Sequence, residues 1–214
     1  MKIYTLFIAI FITALQSGCV VGRRTVALPI ATLGSTGAAK GEFSVVSVTD
    51  DRTFQNKPSE PSTPSIDGDV ASLSAEQKSL MIGRQRNTYG KAMGDIALPA
   101  GDSVKERTKL LVQEIMKSRG YTIVSSPSAA NTAEISIDQF WAWGTPGMWS
   151  VAFEARVYCT LTLKRSDKSA KIVVQGNGTN RGQVAKNENW QSAYDRAFAD
   201  FVTKLNAELD KNQF

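Results

Sequence analysis

The chain has 214 residues, 42% of them hydrophobic and 21% charged, which suits one domain with a real core and falls short of two. Its formal charge of +5 is scattered rather than gathered into a block, which argues against a nucleic-acid groove. There is no histidine, so Ser-His-Asp and Cys-His catalysis and the commonest metal ligand are excluded.

The N-terminal stretch MKIYTLFIAIFITALQSGC has one cation at Lys2, an apolar run from Ile3 to Leu15, and small residues Ser17 and Gly18 before Cys19. A charged start, a short apolar segment and small residues at the cut predict a secretory signal peptide over 1–18. The apolar run is about 13 residues, against the roughly 20 a membrane-spanning helix needs. LQSGC resembles a bacterial lipobox, whose cysteine thiol receives a diacylglyceryl group and becomes the mature N-terminus; Gln16 departs from the pattern. Cys19 is therefore the expected lipid attachment site. The competing reading is a secreted protein in which Cys19 pairs with Cys159. With Cys19 lipidated, Cys159 has no partner in the chain and reads as a small buried hydrophobe.

Residues 19–41 are rich in Gly, Ala, Ser and Thr and predict a lipidated cysteine followed by a flexible tether, with one short strand at TVALPI; a single domain over 42–214 follows. EFSVVSVTDDR predicts a strand ending in a polar turn. Residues 52–75 carry Pro58, Pro61 and Pro64 at three-residue spacing, which suits either polyproline II against an aromatic groove or, in the simpler reading, a solvated loop. LMIGRQRNTYGKAMGDIAL reads as short strands or a hairpin. The first clear helix is GDSVKERTKLLVQEIMKSRGY, with Ser103 and Glu106 as a capping box, Val104, Thr108, Leu111 and Ile115 on one face, and Gly120 as its C-terminal cap.

YTIV, AEISIDQFWAW, MWSVAFEARVYCTLTLKR and AKIVVQGNGTNRG are extended segments joined by turns, and NENWQSAYDRAFADFVTKLNAELDK is a closing helix with one broad apolar face. The expected fold class is α+β: a two-layer sandwich, a largely antiparallel sheet with two helices packed on one face.

Three of the four tryptophans crowd DQFWAWGTPGMWSVAF. Counting by twos from Ile135, and back from Phe153, puts Trp141, Trp143 and Trp149 on the helix-covered face. Strand Val151–Lys164 spans about 45 Å, whereas the two helices reach only about 26 and 30 Å. The hairpin tip is thus expected to overhang the helices. Its cover would come from the glycine-rich segment, the proline loop, a second copy of the chain or another molecule. Trp141, Trp143 and Trp149, with Phe140 and Met148, are the candidate partner-binding residues.

No catalytic residues, metal ligands or cofactor motif emerge. QGNGTNRG spaces its glycines one residue too widely for a dinucleotide fingerprint. The acid pairs Asp50–Asp51 and Asp67–Asp69 read as turn residues rather than cation ligands. Nothing selects two carboxylates for a hydrolase.

VVSVTDDR, MIGRQRN, SRGYTIV, AEISIDQF and WQSAYDRAFADFVTKL, in that order after a lipobox-like cysteine, resemble the YajG-type family of small Gram-negative lipoproteins over most of residues 43–210. The resemblance implies outer-membrane anchoring and a periplasmic α/β domain, and it supplies no catalytic residues. Val20 in place of an inner-membrane retention aspartate agrees with the outer membrane. The expected function is non-catalytic binding of another envelope component, a protein or peptidoglycan, by a membrane-anchored domain. A glycan module and an envelope hydrolase are the alternatives.

Overall fold

The computed structural model describes residues 22–35, 38–87, 89–165 and 168–214; residues 1–18, expected to be a signal peptide, and Cys19, the expected lipid attachment site, lie outside them. The strands are β1 (Arg24–Thr25), β2 (Gly41–Asp50), β3 (Met81–Arg86), β4 (Ala92–Ala97), β5 (Tyr121–Ile123), β6 (Asn131–Pro146), β7 (Val151–Arg165) and β8 (Lys168–Gly182). The helices are α1 (Ala75–Leu80), α2 (Val104–Ser118) and α3 (Asn187–Lys211). All eight strands join one sheet, broadly α+β but wider than two helices on one face imply.

The long ladders β6–β7 and β7–β8 are antiparallel, as the successive hairpins predict. The other side of β6 is different. There β2 pairs with its first half and β3 with its second, both parallel, while β5 and β1 add parallel edges to β2 and β4. The sheet is therefore mixed, antiparallel through its long ladders and parallel in four shorter pairings. The cause is that the chain returns to β6 through crossovers, which short-range turn signals do not encode.

Helix α2 buries Val104, Thr108, Leu111, Val112 and Ile115, the face its spacing predicts. Ser103 Oγ accepts the Glu106 amide at 3.1 Å, but the Ser103 amide donates to Asp102 Oδ1 at 2.8 Å, so Asp102 takes the place expected of the Glu106 side chain. A full reciprocal capping box instead opens α1, between Ser74 and Gln77. Gly120 follows α2 at φ +94°, the left-handed position that favours glycine at a helix end.

Helix α3 lies along the edge strand β8. Its apolar face, from Trp190 through Tyr194, Phe198 and Phe201 to Leu209, enters the main core with Phe140, Phe153 and Leu161. Arg196, Asp200 and Lys204, one turn apart, reach the free edge of β8. They bond Thr179 O, the Asn177 amide (2.8 Å) and Gln175 O (3.0 Å) in turn. Backbone groups that would template another strand are thereby occupied from within the chain.

Two segments predicted to be loose are packed. Val26 and Leu28 are buried in the main core, with Ile30 and Leu33 packed against it, so this part of the expected tether of 19–41 belongs to the domain. In the proline segment Arg52, Pro58, Pro64, Ser65 and Ile66 are buried. That segment forms a second cover on the sheet face opposite the helices, so the expected two-layer arrangement becomes three layers over β3 and β6.

Candidate functional site

The hairpin aromatics separate because β6 contains a bulge. Ile137 faces Cys159 and Gln139 faces Tyr158, leaving Asp138 as an extra residue in β6. Thr160 Oγ1 donates to Asp138 Oδ2 at 3.0 Å and holds it there. One inserted residue reverses every side chain beyond it. Ala133, Ile135 and Ile137 face the helices, and so do Phe140 and Ala142, whereas Trp141 and Trp143 pass to the other face. The count by twos is corrected accordingly. A trace of the slip is visible in the sequence, since the tandem polar pair Asp138-Gln139 interrupts the apolar alternation.

Each candidate residue then has its own environment. Phe140 stacks on Tyr194 at 5.1 Å between centroids, inside the helical core. Trp141 meets Phe54 edge-on at 5.9 Å and donates from Nε1 to Pro61 O at 3.3 Å. Gln139 Nε2 donates to Ser62 O at 2.7 Å. Trp143 lies under the Arg156 guanidinium, 5.5 Å from its ring centroid. Phe140, Trp141 and Trp143 are therefore buried within the chain, the two tryptophans by the proline segment that the simpler reading left solvated. Met148 and Trp149, at 88% and 85% exposure, are the hairpin residues left to solvent.

Register places several other features at the same end of the sheet. Pro146 stands opposite Val151, and Val151 opposite Gly182. Strand β3 runs parallel to β6 with Arg84 beside Trp143, so the β3–β4 turn comes out level with the β6–β7 tip. That turn carries Tyr89, 94% exposed. The Gly22 amide donates to Met93 O at 3.2 Å, just beyond the same turn. Gly94 there has φ +155°, and a Cβ on it would stand 2.0 Å from Gly22 O, so the N-terminal strand needs glycine to lie this close.

Between the proline segment and the β3–β4 hairpin lies a pocket of about 580 Å³, whose walls include Lys57, Ser65, Asp67, Arg84, Arg86 and Lys91. Arg84 is buried and leans on Asp67 (3.2 Å) and Asp95 (3.8 Å). Ser65 Oγ and the Nε atoms of Arg84 and Arg86 are buried and have no hydrogen-bond partner. Burial and the neighbouring Arg84 charge both pull the Arg86 guanidinium below its ordinary pKa.

Asp95, 3% exposed, is the fully buried carboxylate among the described residues. Burial pushes its carboxyl above the ordinary range, and the Asp67 amide with the Arg84 and Arg23 charges offsets only part of that. The folded chain thus holds this proton at pH values where the unfolded chain has released it, and stability from this site falls as pH rises through that interval. Asp95→Asn is expected to flatten the slope, as read from urea midpoints between about pH 4 and 7.

The acid pairs serve structure. Asp50 chelates Arg52, Asp51 accepts from Thr49 and Ser136, and Asp69 accepts from Asn56 and the Ala71 amide. Cys159 is buried and free, and burial pushes its thiol far above the reactive range. Among the described residues no cluster of three or more metal-ligating side chains occurs, and no helix is long and apolar enough to cross a membrane.

No curated protein gave a significant match to the chain. Similar solved structures include protein XCC0632 from Xanthomonas campestris, of the DUF330 family, at 13% identity over 87% of this chain and 94% of that one, with a TM-score of 0.46. Hypothetical protein CT253 from Chlamydia trachomatis is 11% identical over 79% of this chain and 97% of its own, with a TM-score of 0.39. A family model described as an uncharacterized lipoprotein matches residues 85–214. That match takes in more than half of the sequence and agrees with the ordered motifs of the YajG type, and the chain belongs to this lipoprotein family.

Proposed function

We propose that this protein is an outer-membrane lipoprotein, held through acyl groups on Cys19, whose periplasmic domain binds another envelope component and does no chemistry. The observation that carries the reading is the hairpin tip. Its inner aromatics are packed against the protein's own core and proline segment, while Met148 and Trp149 stand free at the end of the longest hairpin. An exposed apolar pair, one of them a tryptophan, at the end of a packed hairpin is a feature of contact sites. The acyl anchor is supported by the lipobox-like LQSGC and by family membership.

Two measurements test this reading. Mass spectrometry of the mature chain is expected to find Cys19 at the N-terminus carrying acyl groups; a free thiol there overturns the anchor. A photo-crosslinker at position 149 in intact cells is expected to capture an envelope component, and one at the buried position 141 is not. Equal capture from both positions removes the tip as the contact. The glycan alternative now rests on the single ring of Trp149, because Trp141 and Trp143 are covered. Sedimentation with purified sacculi decides it.

A further inference from the structure

The component met by the hairpin tip can be assigned a chemistry, resting on the anchored reading just given. Of the six large hydrophobic side chains exposed among the described residues, four lie at one end of the sheet: Tyr89, Met148, Trp149 and Val184. The pocket holding Lys57, Arg84, Arg86 and Lys91 opens beside the β3–β4 turn at the same end, with Tyr89 in its wall. Gly22 is pinned to Met93 at that end too. Only Val20 and Val21 separate Gly22 from Cys19, a reach of about 11 Å over three fully extended steps. An acylated Cys19 therefore brings this end, and no other, against the bilayer.

We infer that this end of the domain docks on an anionic phospholipid surface, with Tyr89, Met148 and Trp149 in the interfacial layer and a headgroup phosphate in the Arg84–Arg86 pocket. Tyr and Trp suit that layer because each joins an apolar body to a polar tip. The phosphate supplies acceptors for the buried, unpartnered Ser65 Oγ and the two arginine Nε donors. It also relieves the repulsion between the two neighbouring guanidiniums. Asp67 lines the same pocket, but its side chain is largely exposed, it is paired with Arg84, and four cations line the pocket against this one carboxylate. Each Lys or Arg near an anionic leaflet adds about fivefold to partition. The acyl groups on Cys19 hold the chain at the bilayer but do not by themselves orient the domain, so the docked end adds a non-covalent hold and fixes which way the domain faces.

The test uses the mature lipidated chain in nanodiscs of brominated phosphatidylglycerol or brominated phosphatidylcholine. Trp141, Trp143 and Trp190 are buried, so a change in emission reports Trp149, and Trp149→Phe is the control. In the anionic discs the Trp149 emission is expected to shift to shorter wavelength and be quenched. Lys57→Gln with Lys91→Gln, both at exposed positions where folding is not at stake, is expected to abolish most of that loss. Trp149 left unquenched in both lipids overturns the docking and leaves the tip to a protein partner. Equal quenching in both lipids, unaffected by the lysine changes, overturns the anionic headgroup assignment, because phosphatidylcholine carries the same phosphate without net charge. Mass analysis of the same sample reads the anchor separately. Should Cys19 prove unmodified, the free chain added to vesicles of the same brominated lipids still reads the docking.

Discussion

Arg52→Met is expected to destabilise the domain by about 3–5 kcal/mol, the range for removing one partner of a buried ion pair. The Arg52 side chain is fully buried and makes a bidentate contact with Asp50, through Nε at 2.7 Å and Nη2 at 2.8 Å. It also donates to Met81 O (2.6 Å), Phe140 O (2.9 Å) and Lys78 O (2.8 Å). Met81 O and Phe140 O belong to the seam where β6 changes neighbour from β2 to β3, Lys78 O to the end of α1, and the guanidinium ties the three together there. Methionine fills the volume but removes the paired charge from the Asp50 carboxylate and the guanidinium donors from Met81 O and Phe140 O, while Lys78 O keeps the Met81 amide. Arg52→Lys is expected to recover little, because a single ammonium cannot span a bidentate carboxylate and three divergent acceptors. Urea denaturation of both variants checks this; a loss below about 1 kcal/mol, the size of one ordinary hydrogen bond, would show the seam does not depend on the guanidinium.

Gly178→Ala is expected to cost about 3 kcal/mol or more, the upper range for overpacking a core. A Cβ at 178 would lie 2.0 Å from Ala193 O and 2.4 Å from the Ala197 amide nitrogen, both backbone atoms of α3. Gly176 is in the same position, with Ala197 O at 2.2 Å. No rotamer change can relieve a backbone clash, so α3 must lift off β8 and withdraw Tyr194, Phe198 and Phe201 from the core. Thermal unfolding is expected to show a lower midpoint, whereas Asn177→Ala, on the outer side of the same strand, should shift it far less. The glycines of QGNGTNRG thus have a purpose unrelated to nucleotide binding: they let a helix lie directly on an edge strand.

Much of the architecture was legible because it rests on local chemistry. Apolar spacing defined α2 and α3, alternation defined β7 and β8, and the glycine-rich stretch after the proline segment became the β3–β4 hairpin. Ser103 marked a helix start and Gly120 its end, since caps satisfy backbone groups within a few residues. The burial of Cys159 followed from an unbroken alternation along β7. The parallel partners of β6 were not legible, because crossover pairing joins segments dozens of residues apart. Nor was the packing of Val26 and Leu28, since a short apolar pair among Gly, Ala and Thr looks the same in a tether as in a strand seam.

The tryptophans mark the division most sharply. Composition and order placed three of them on one hairpin and a lipobox-like cysteine near the start, and sequence alone sufficed for both. Which ring meets which neighbour was decided by Asp138, one extra residue in β6 that turns Trp141 and Trp143 toward the proline segment. Strand periodicity is a property of the chain, but its phase relative to a core is set by pairing with the next strand. Only the folded ladder records where that phase slips.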